Sequence, residues 1–330
     1  MIISKTPLRI SFVGGGTDLP SFYKNYEYGA VISTSIDSYI YVIVKKHTEL
    51  FQEKIRLNYS DVELVDHLKD IKNPIIRECL KFLDIDDNIY ISTIADSPGS
   101  SGLGSSSSFC VGLLNALYKY KGINTSISQL AEEAAYIEIE VLNRPIGKQD
   151  HYAAAYGGIN YFRFEADGSV TIKPLSLSRK IIGMIFDNML SFWTGTTRPS
   201  ESVLSEQDKK IVENSEILIK MRNQVDELMQ LLSDNNANAE QFGTLIHNGW
   251  KMKRQLASQI SNNTLDNYFK KAIKNGAYGG KISGAGGGGF LNIFANKKYH
   301  DNIIHALTNE GLLPFRFHSD SLGTMVNEVA

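Results

Sequence analysis

Residues 97–108, SPGSSGLGSSSS, carry seven serines and three glycines in twelve positions and run straight into the apolar stretch FCVGLLNALY. The run NIYISTIA before them has the β-branched content of a strand. The order is therefore strand, small-residue loop, buried helix. A linker or an ordinary helix cap also uses small polar residues, but a linker belongs at a change of composition with polar residues on both sides. A loop between strand and helix is where backbone N–H groups and the positive end of a helix gather anions. Gly102 and Gly104 let the backbone approach phosphate with no Cβ in the way, and Ser105 and Ser106 offer hydroxyls to phosphate or Mg²⁺. The expected cradle is Pro98, Gly99, Ser100, Ser101, Gly102, Leu103, Gly104, Ser105, Ser106 and Ser107. It has no Gly-Lys-[Ser/Thr] and no G-x-G-x-x-G spacing, so it is neither a Walker loop nor a dinucleotide fingerprint.

Global numbers exclude other classes. A 330-residue chain with 42% hydrophobic and 21% charged residues has room for one large or two ordinary domains. A net charge of −2 and a pI near 6.4 leave no basic footprint for nucleic acid or anionic lipid. Cys79 and Cys110 stand apart without Cys/His company, which argues against a zinc site or disulfide framework and fits a reducing compartment. The start, MIISKTPLRISFV, is too short and charged for a signal h-region, and no run reaches the roughly 18 apolar residues of a membrane span. The expectation is a cytoplasmic chain with neither nucleic acid nor membrane as partner. A homodimer stays open.

Along the chain, IISKTPLRISFV, AVISTSIDSYIYVIVKK and KIRLNY read as further strands, and NPIIRECLKFL as a helix. ISQLAEEAAYIEIEVLN reads as one helix, capped by Ser126 or Ser128 and stopped before Pro145. GGINYFRFEADGSVTIKPL is a hairpin turning at Asp167-Gly168. Residues 200–275 read as almost wholly helical, KISGAGGGGFLNIFA as strand–loop–strand, and YHDNIIHALTNEG as a late helix. The change from β-rich to helical near 176–200 is the best boundary, giving domains 1–175 and 176–330.

Three more segments join the first loop. KISGAGGGGFL places five glycines between strands, a pattern that by itself marks only close backbone crossings. TPLRISFVGGGTDLPSFY sets Arg9 nine residues before Asp18. RPIGKQDHYAAAYGG puts Asp150 after a proline–glycine turn, where a carboxylate also serves simply as a helix N-terminal charge.

Together the four segments resemble the GHMP kinase family, from the first strand to the last quarter of the chain. The resemblance implies a two-lobed α+β fold, its first lobe like ribosomal protein S5 domain 2 and its second ferredoxin-like. It also implies ATP as phosphate donor and Mg²⁺ as cofactor, with the Pro98–Ser107 loop around the ATP phosphates. The metal-holding pair carries over to Ser106 and Glu138, the latter twelve residues before Asp150; Glu140 is the alternative. Asp150, in Gly147–Asp150, matches the catalytic aspartate, with Lys148 or Arg9 as the cation that holds it ionised. Arg9 and Asp18 match the arginine and sugar-holding aspartate of the first motif, with Gly16 and Thr17 beside them and Gly286 in the second glycine loop.

One departure narrows the branch. Galactokinases carry Gly-Glu-His in the first motif, whereas this chain has Gly14-Gly15-Gly16-Thr17-Asp18, similar to sugar-1-kinases. GKQDHYAAAYGG and WTGTTRPSESVLSEQ resemble bacterial heptose 7-phosphate kinases. The implied reaction is phosphorylation of the anomeric hydroxyl of a sugar phosphate, en route to an activated heptose for surface polysaccharide. Lys5, Arg9 and Arg198 are the candidate cations for the substrate phosphate. A decarboxylase, a kinase for a free sugar such as fucose, and a non-catalytic sensor remain as alternatives; a sensor is expected to lack Glu138 or Asp150, and both are present.

Overall fold

The computed structural model describes residues 1–197 and 199–329. Its strands are β1 (Ile2–Val13), β2 (Tyr28–Lys46), β3 (Ile55–Asn58), β4 (Val62–Val65), β5 (Ile89–Ala95), β6 (Ile159–Glu165), β7 (Val170–Pro174), β8 (Met189–Trp193), β9 (Ala277–Ile282), β10 (Phe290–Ala295), β11 (Leu313–Phe315) and β12 (Met325–Glu328). They form two sheets. The first runs β12-β1-β2-β5-β3-β4, with β6 and β7 branching from β2. The branch is possible because β2 is 19 residues long: Tyr28–Thr34 pair with β6, and Ile40–Lys46 pair with β5. The second sheet, β11-β8-β10-β9, is antiparallel throughout.

The helix Ser105–Tyr120 lies against β1 and β2 and is the axis of the first core. Its residues Ser107–Tyr118 are all buried, so it is covered on every side, as its unbroken apolar sequence requires. Gly112 sits where a Cβ would come within 2.6 Å of Thr6 Oγ1, and Ser4 Oγ donates to the Gly112 carbonyl at 2.7 Å. Emptying the space of one buried leucine here, Leu113 for example, costs about 2–5 kcal/mol. This rigidity fixes the helix start, and with it the loop that precedes it. A second core gathers on β8–β10 around Trp250, Phe192 and Phe269.

Most expected elements are present, with four differences. The long helix expected at 127–143 is α-helical only over Ile127–Tyr136; Ile137–Val141 is a π turn, closed by Leu142 N–H donating to the Ile137 carbonyl. The alternating Ile137, Ile139 and Val141 are poor α formers, and the π turn re-aims Glu138. The short strands β4, β8, β11 and β12 lack length for a period-two signal. A helix at Arg179–Phe186 fills the expected boundary. Finally, β12 returns to pair with β1, so 176–330 is not a self-contained second unit. Among the described residues no helix is long and apolar enough to cross a membrane.

Candidate active site

The loop between β5 and the buried helix ends on Gly104, at φ +80°, and no side chain caps the helix. The first intrahelical bond there is Ser108 N–H to the Gly104 carbonyl. The N–H groups of Ser105, Ser106 and Ser107 thus face the adjoining cavity without helical acceptors. Leu103 anchors the loop from both sides: its side chain is buried, and its carbonyl accepts from Arg9 N–H at 2.9 Å. Gly102, at φ +84°, lies against the second glycine loop, where a Cβ would meet the Ser283 carbonyl oxygen at 2.5 Å. The two glycine loops are therefore in backbone contact, and both line one cavity of about 340 Å³ together with Gly286. Pro98 and Gly99 are exposed at the outer end of the loop, away from that lining.

Beside the helix start, Glu138 is fully buried and surrounded by donors. Ser106 Oγ donates to its Oε1 at 2.6 Å, Arg144 Nη1 to the same oxygen at 2.6 Å, and His151 Nε2 lies 2.8 Å from Oε2. Burial works against its charge, but the His151, Ser106 and Arg144 contacts outweigh that and bring its carboxyl down to about 2. Arg144 also donates to Ser106 Oγ at 2.8 Å and reaches Glu201 at 3.5 Å.

Arg9, on β1, and Asp150, in the first turn of the helix Gln149–Tyr156, form a bidentate pair. Nε donates to Oδ1 at 2.7 Å and Nη2 to Oδ2 at 2.6 Å, while Nη1 donates to the Gly102 carbonyl at 2.7 Å. One guanidinium thus ties the carboxylate to the phosphate-loop backbone. Each Asp150 oxygen accepts one bond from Arg9, and the residue lines the cavity. Asp18 sits across from it, accepting from Gly16 N–H, Gln149 N–H and Gln149 Nε2. Burial, followed by the Asp150 charge, raises its carboxyl above the usual range.

Three expected residues are not where the sequence reading had them. Lys148 does not meet Asp150; its Nζ donates to the Gly168 carbonyl at 2.6 Å and points toward Tyr23. At the start of its helix, Lys148 is directed out of the cavity while Asp150 is directed in. Lys5 stacks on the Tyr39 ring at 3.7 Å, four residues before Arg9 along β1 and outside the cavity lining. Thr17 is fully buried, with its hydroxyl donating to the Gly14 and Ala30 carbonyls and accepting from Ala30 N–H. It locks a turn and lies outside the cavity lining. Arg198 lies outside the described residues.

The sequence reading missed Arg144, His151, Gln149, Gln207 and Lys253. All but His151, which is wholly buried behind Glu138, line the cavity. Lys253 is 7% exposed, donates to the Gly284 carbonyl at 2.6 Å, and is pushed down to about 8 by burial and by Arg9. Gln207 is 1% exposed, and its Nε2 has no hydrogen-bond partner among the described residues.

Residues 69–158 match the GHMP kinases N terminal domain, and residues 222–312 match the GHMP kinases C terminal domain. The D-glycero-alpha-D-manno-heptose 7-phosphate kinase of Campylobacter jejuni is 30% identical over 324 residues, covering 94% of each chain. The chain belongs to the GHMP kinase family. A galactokinase of Pyrococcus furiosus is 25% identical over 95% of this chain and 94% of its own. The crystal structure of a D-glycero-D-manno-heptose 1-phosphate kinase from Bacteroides thetaiotaomicron superposes with a TM-score of 0.81 at 22% identity over 100% of both chains.

As a GHMP kinase the protein is an ATP-dependent phosphotransferase, and its relatives make it a sugar kinase of that family. The uncapped helix N-terminus and the glycine loop suit ATP phosphates. Among the described residues no group of three or more His, Cys, Asp or Glu could cage a metal alone. The ionised Glu138 and the Ser106 hydroxyl are hard oxygen donors of the kind that hold Mg²⁺ jointly with phosphate oxygens. They fit that ion.

Proposed function

We propose that the protein transfers the γ-phosphoryl group of ATP to the anomeric hydroxyl of D-glycero-D-manno-heptose 7-phosphate, giving the 1,7-bisphosphate. The product belongs to the supply of nucleotide-activated heptose for surface polysaccharide. The observation that carries the reaction is the Arg9–Asp150 pair, held against the phosphate-loop carbonyl and opening into the same cavity as the uncapped helix start. The acceptor is supported by the 30%-identical relative. Two buried free thiols, Cys79 and Cys110, fit a reducing cytoplasm.

In this reading the N–H groups of Ser105–Ser107 and the loop backbone bind the ATP phosphates and hold them still. Ser106 and Glu138 would hold Mg²⁺, which when bound neutralises charge on the β- and γ-phosphate oxygens. Asp150, fixed in orientation by Arg9, accepts the proton of the anomeric hydroxyl as its oxygen bonds to phosphorus and the bond to the ADP oxygen breaks. Because the transition state is loose, alignment contributes more than base strength, and a carboxylate held in place by Arg9 suffices. Asp18 orients a neighbouring sugar hydroxyl.

Steady-state kinetics with heptose and heptose 7-phosphate test the reading, with product anomer identified by phosphorus NMR. The 7-phosphate form is expected to have by far the higher kcat/KM. Equal values for the two sugars would move the assignment to a free-sugar kinase.

A further inference from the structure

We infer that Lys253 is a positioning residue for the acceptor: its ammonium group hydrogen-bonds a sugar oxygen beside the reacting hydroxyl, in a subsite over Gly15 that it shares with Ser11 and Gln149, next to the Gln207 amide over Gly16. The inference rests on the proposed sugar-kinase reaction and goes beyond it to residues outside the Arg9, Asp18 and Asp150 set.

Lys253 ends the helix Ala239–Lys253, yet its side chain turns inward. An ammonium group has three donors, and among the described residues Nζ uses one, on the Gly284 carbonyl, with no ion-paired carboxylate. Burying a charge so incompletely bonded is costly unless something else completes its bonds. The neighbouring groups show the same shortfall. Gln207 Nε2 and Gln149 Oε1 are buried without partners among the described residues, and both side chains line the cavity. Three unsatisfied groups of differing polarity around one cavity call for a ligand that donates and accepts, which is the character of a polyhydroxylated sugar.

Gly15 marks the spot. A Cβ built on it would lie 3.6 Å from Gln149 Nε2, 3.7 Å from Ser11 Oγ and 3.8 Å from Lys253 Nζ. The space is therefore ringed by polar atoms at contact distance from a single methyl-sized volume. The charged groups that bear on Lys253 are Arg9 and Asp18 from the first motif, Asp150 from the opposite helix, and Lys281 from β9. Asp18 and Asp150 are the two carboxylates on the acceptor side, so the ammonium lies at the reacting end of the sugar. Arg9 spends three of its five donors on Asp150 and the Gly102 carbonyl, and Lys281 spends two of its three on the Ser11 and Phe12 carbonyls, outside the cavity lining. Lys253 lines the cavity with two of its three donors unused among the described residues.

The test compares wild type with Lys253→Met and Gly15→Ala, using ATP with heptose 7-phosphate, heptose and free fucose, galactose and mannose as acceptors. Methionine keeps the stem volume and removes the donors. Alanine fits the protein at ordinary contact distance but occupies the subsite. Both variants are expected to raise the acceptor KM by about tenfold to a hundredfold, the loss of one charge-assisted hydrogen bond. Nucleotide Kd, read by titration calorimetry, is expected to stay unchanged, and the preference between heptose 7-phosphate and heptose to be retained. Wild-type kcat/KM for the acceptor is expected to fall above about pH 8, as Lys253 loses its proton, and Lys253→Met to lack that fall.

An unchanged acceptor KM in both variants overturns the inference, as does a change confined to nucleotide Kd. Loss of the 7-phosphate preference in Lys253→Met overturns it by moving the contact to the phosphate. A wild type that phosphorylates heptose but not better with the 7-phosphate overturns the proposed acceptor alone. A wild type that phosphorylates none of the sugars overturns the proposed function and this inference with it.

Discussion

Replacing Glu138 with glutamine separates two roles that the sequence alone merges. A glutamate that only holds a metal would, as glutamine, lose turnover and leave the fold intact. In the structure the carboxylate is fully buried between His151, Ser106 and Arg144, so the substitution strands a guanidinium against a neutral amide. Holding this carboxyl at about 2 rather than 4.5 corresponds to roughly 3 kcal/mol in favour of the ionised fold. That is a large share of the 5–15 kcal/mol that typically separates native from unfolded chains. For 330 residues the unfolding entropy is about 0.7 kcal/mol per kelvin, so a fall in Tm of about 4 °C is expected.

The pH dependence distinguishes charge from packing. A carboxylate with a depressed folded pKa contributes its full stability above the unfolded value, near 4.5, and loses it as the pH falls toward 2. At pH 3.5 about 1.4 kcal/mol of the advantage is gone. Urea unfolding of wild type and Glu138→Gln at pH 7, 4.5 and 3.5 should show the gap between them narrowing at the lowest pH. Manganese binding in the presence of an ATP analogue, followed by electron paramagnetic resonance, reads the metal role independently. A variant as stable as wild type at pH 7, or a gap that is the same at pH 3.5, refutes the reasoning from the ion cluster.

Asp150→Asn is expected to lower kcat by about a hundredfold or more with little change in nucleotide Kd, checked by steady-state kinetics and calorimetry. Gly102→Ala places a Cβ at 2.5 Å from the Ser283 carbonyl in a residue at φ +84°, so both Tm and nucleotide affinity should fall together. Thr17→Val is expected to destabilise by about 1–3 kcal/mol in urea, because the Ala30 carbonyl and N–H lose the hydroxyl and the Gly14 carbonyl keeps only the residue 17 N–H, while acceptor KM in the folded enzyme stays near wild type. Lys253→Met is expected to be more stable than wild type at pH 7. The folded pKa of about 8 lies below 10.5, so the charged form opposes folding and wild type gains on the variant only as pH rises from 8 toward 10.5.

The parts of the site that could be read in the sequence are those whose chemistry is local. A glycine-serine loop before an apolar helix states its own geometry, because the loop needs glycine backbones and the helix supplies the uncapped N–H groups within four residues. Arg9 pairs with Asp150 across 141 positions, and no spacing rule gives that contact; only the family resemblance put the two in one site. Thr17 shows the opposite error. A polar residue between glycine and aspartate reads as a ligand group, while here its hydroxyl turns away from the cavity to tie the turn at Gly14 to Ala30.

Lys253 and Gln207 were hidden for a different reason: each looks ordinary in type and is informative only in phase. In the helix Ala239–Lys253 the buried positions are Phe242, Gly243, Ile246, Trp250 and Lys253, which keep one helical face. In the helix Ser200–Lys209 the buried pair is Val203 and Gln207, four apart. A lysine at the C-terminal end of a helix reads as a favourable charge for the dipole, and that reading requires it to face solvent. Here it falls on the stripe that faces the core, where a charge is tolerated only with bonds to complete. The phase of the apolar stripe therefore carries information that residue type does not: a charged or amide side chain that keeps the register of a buried face must be satisfied by protein or by a ligand. Among the described residues Gln207 Nε2 finds no partner and Lys253 Nζ one, and both side chains line the cavity that holds Asp18 and Asp150.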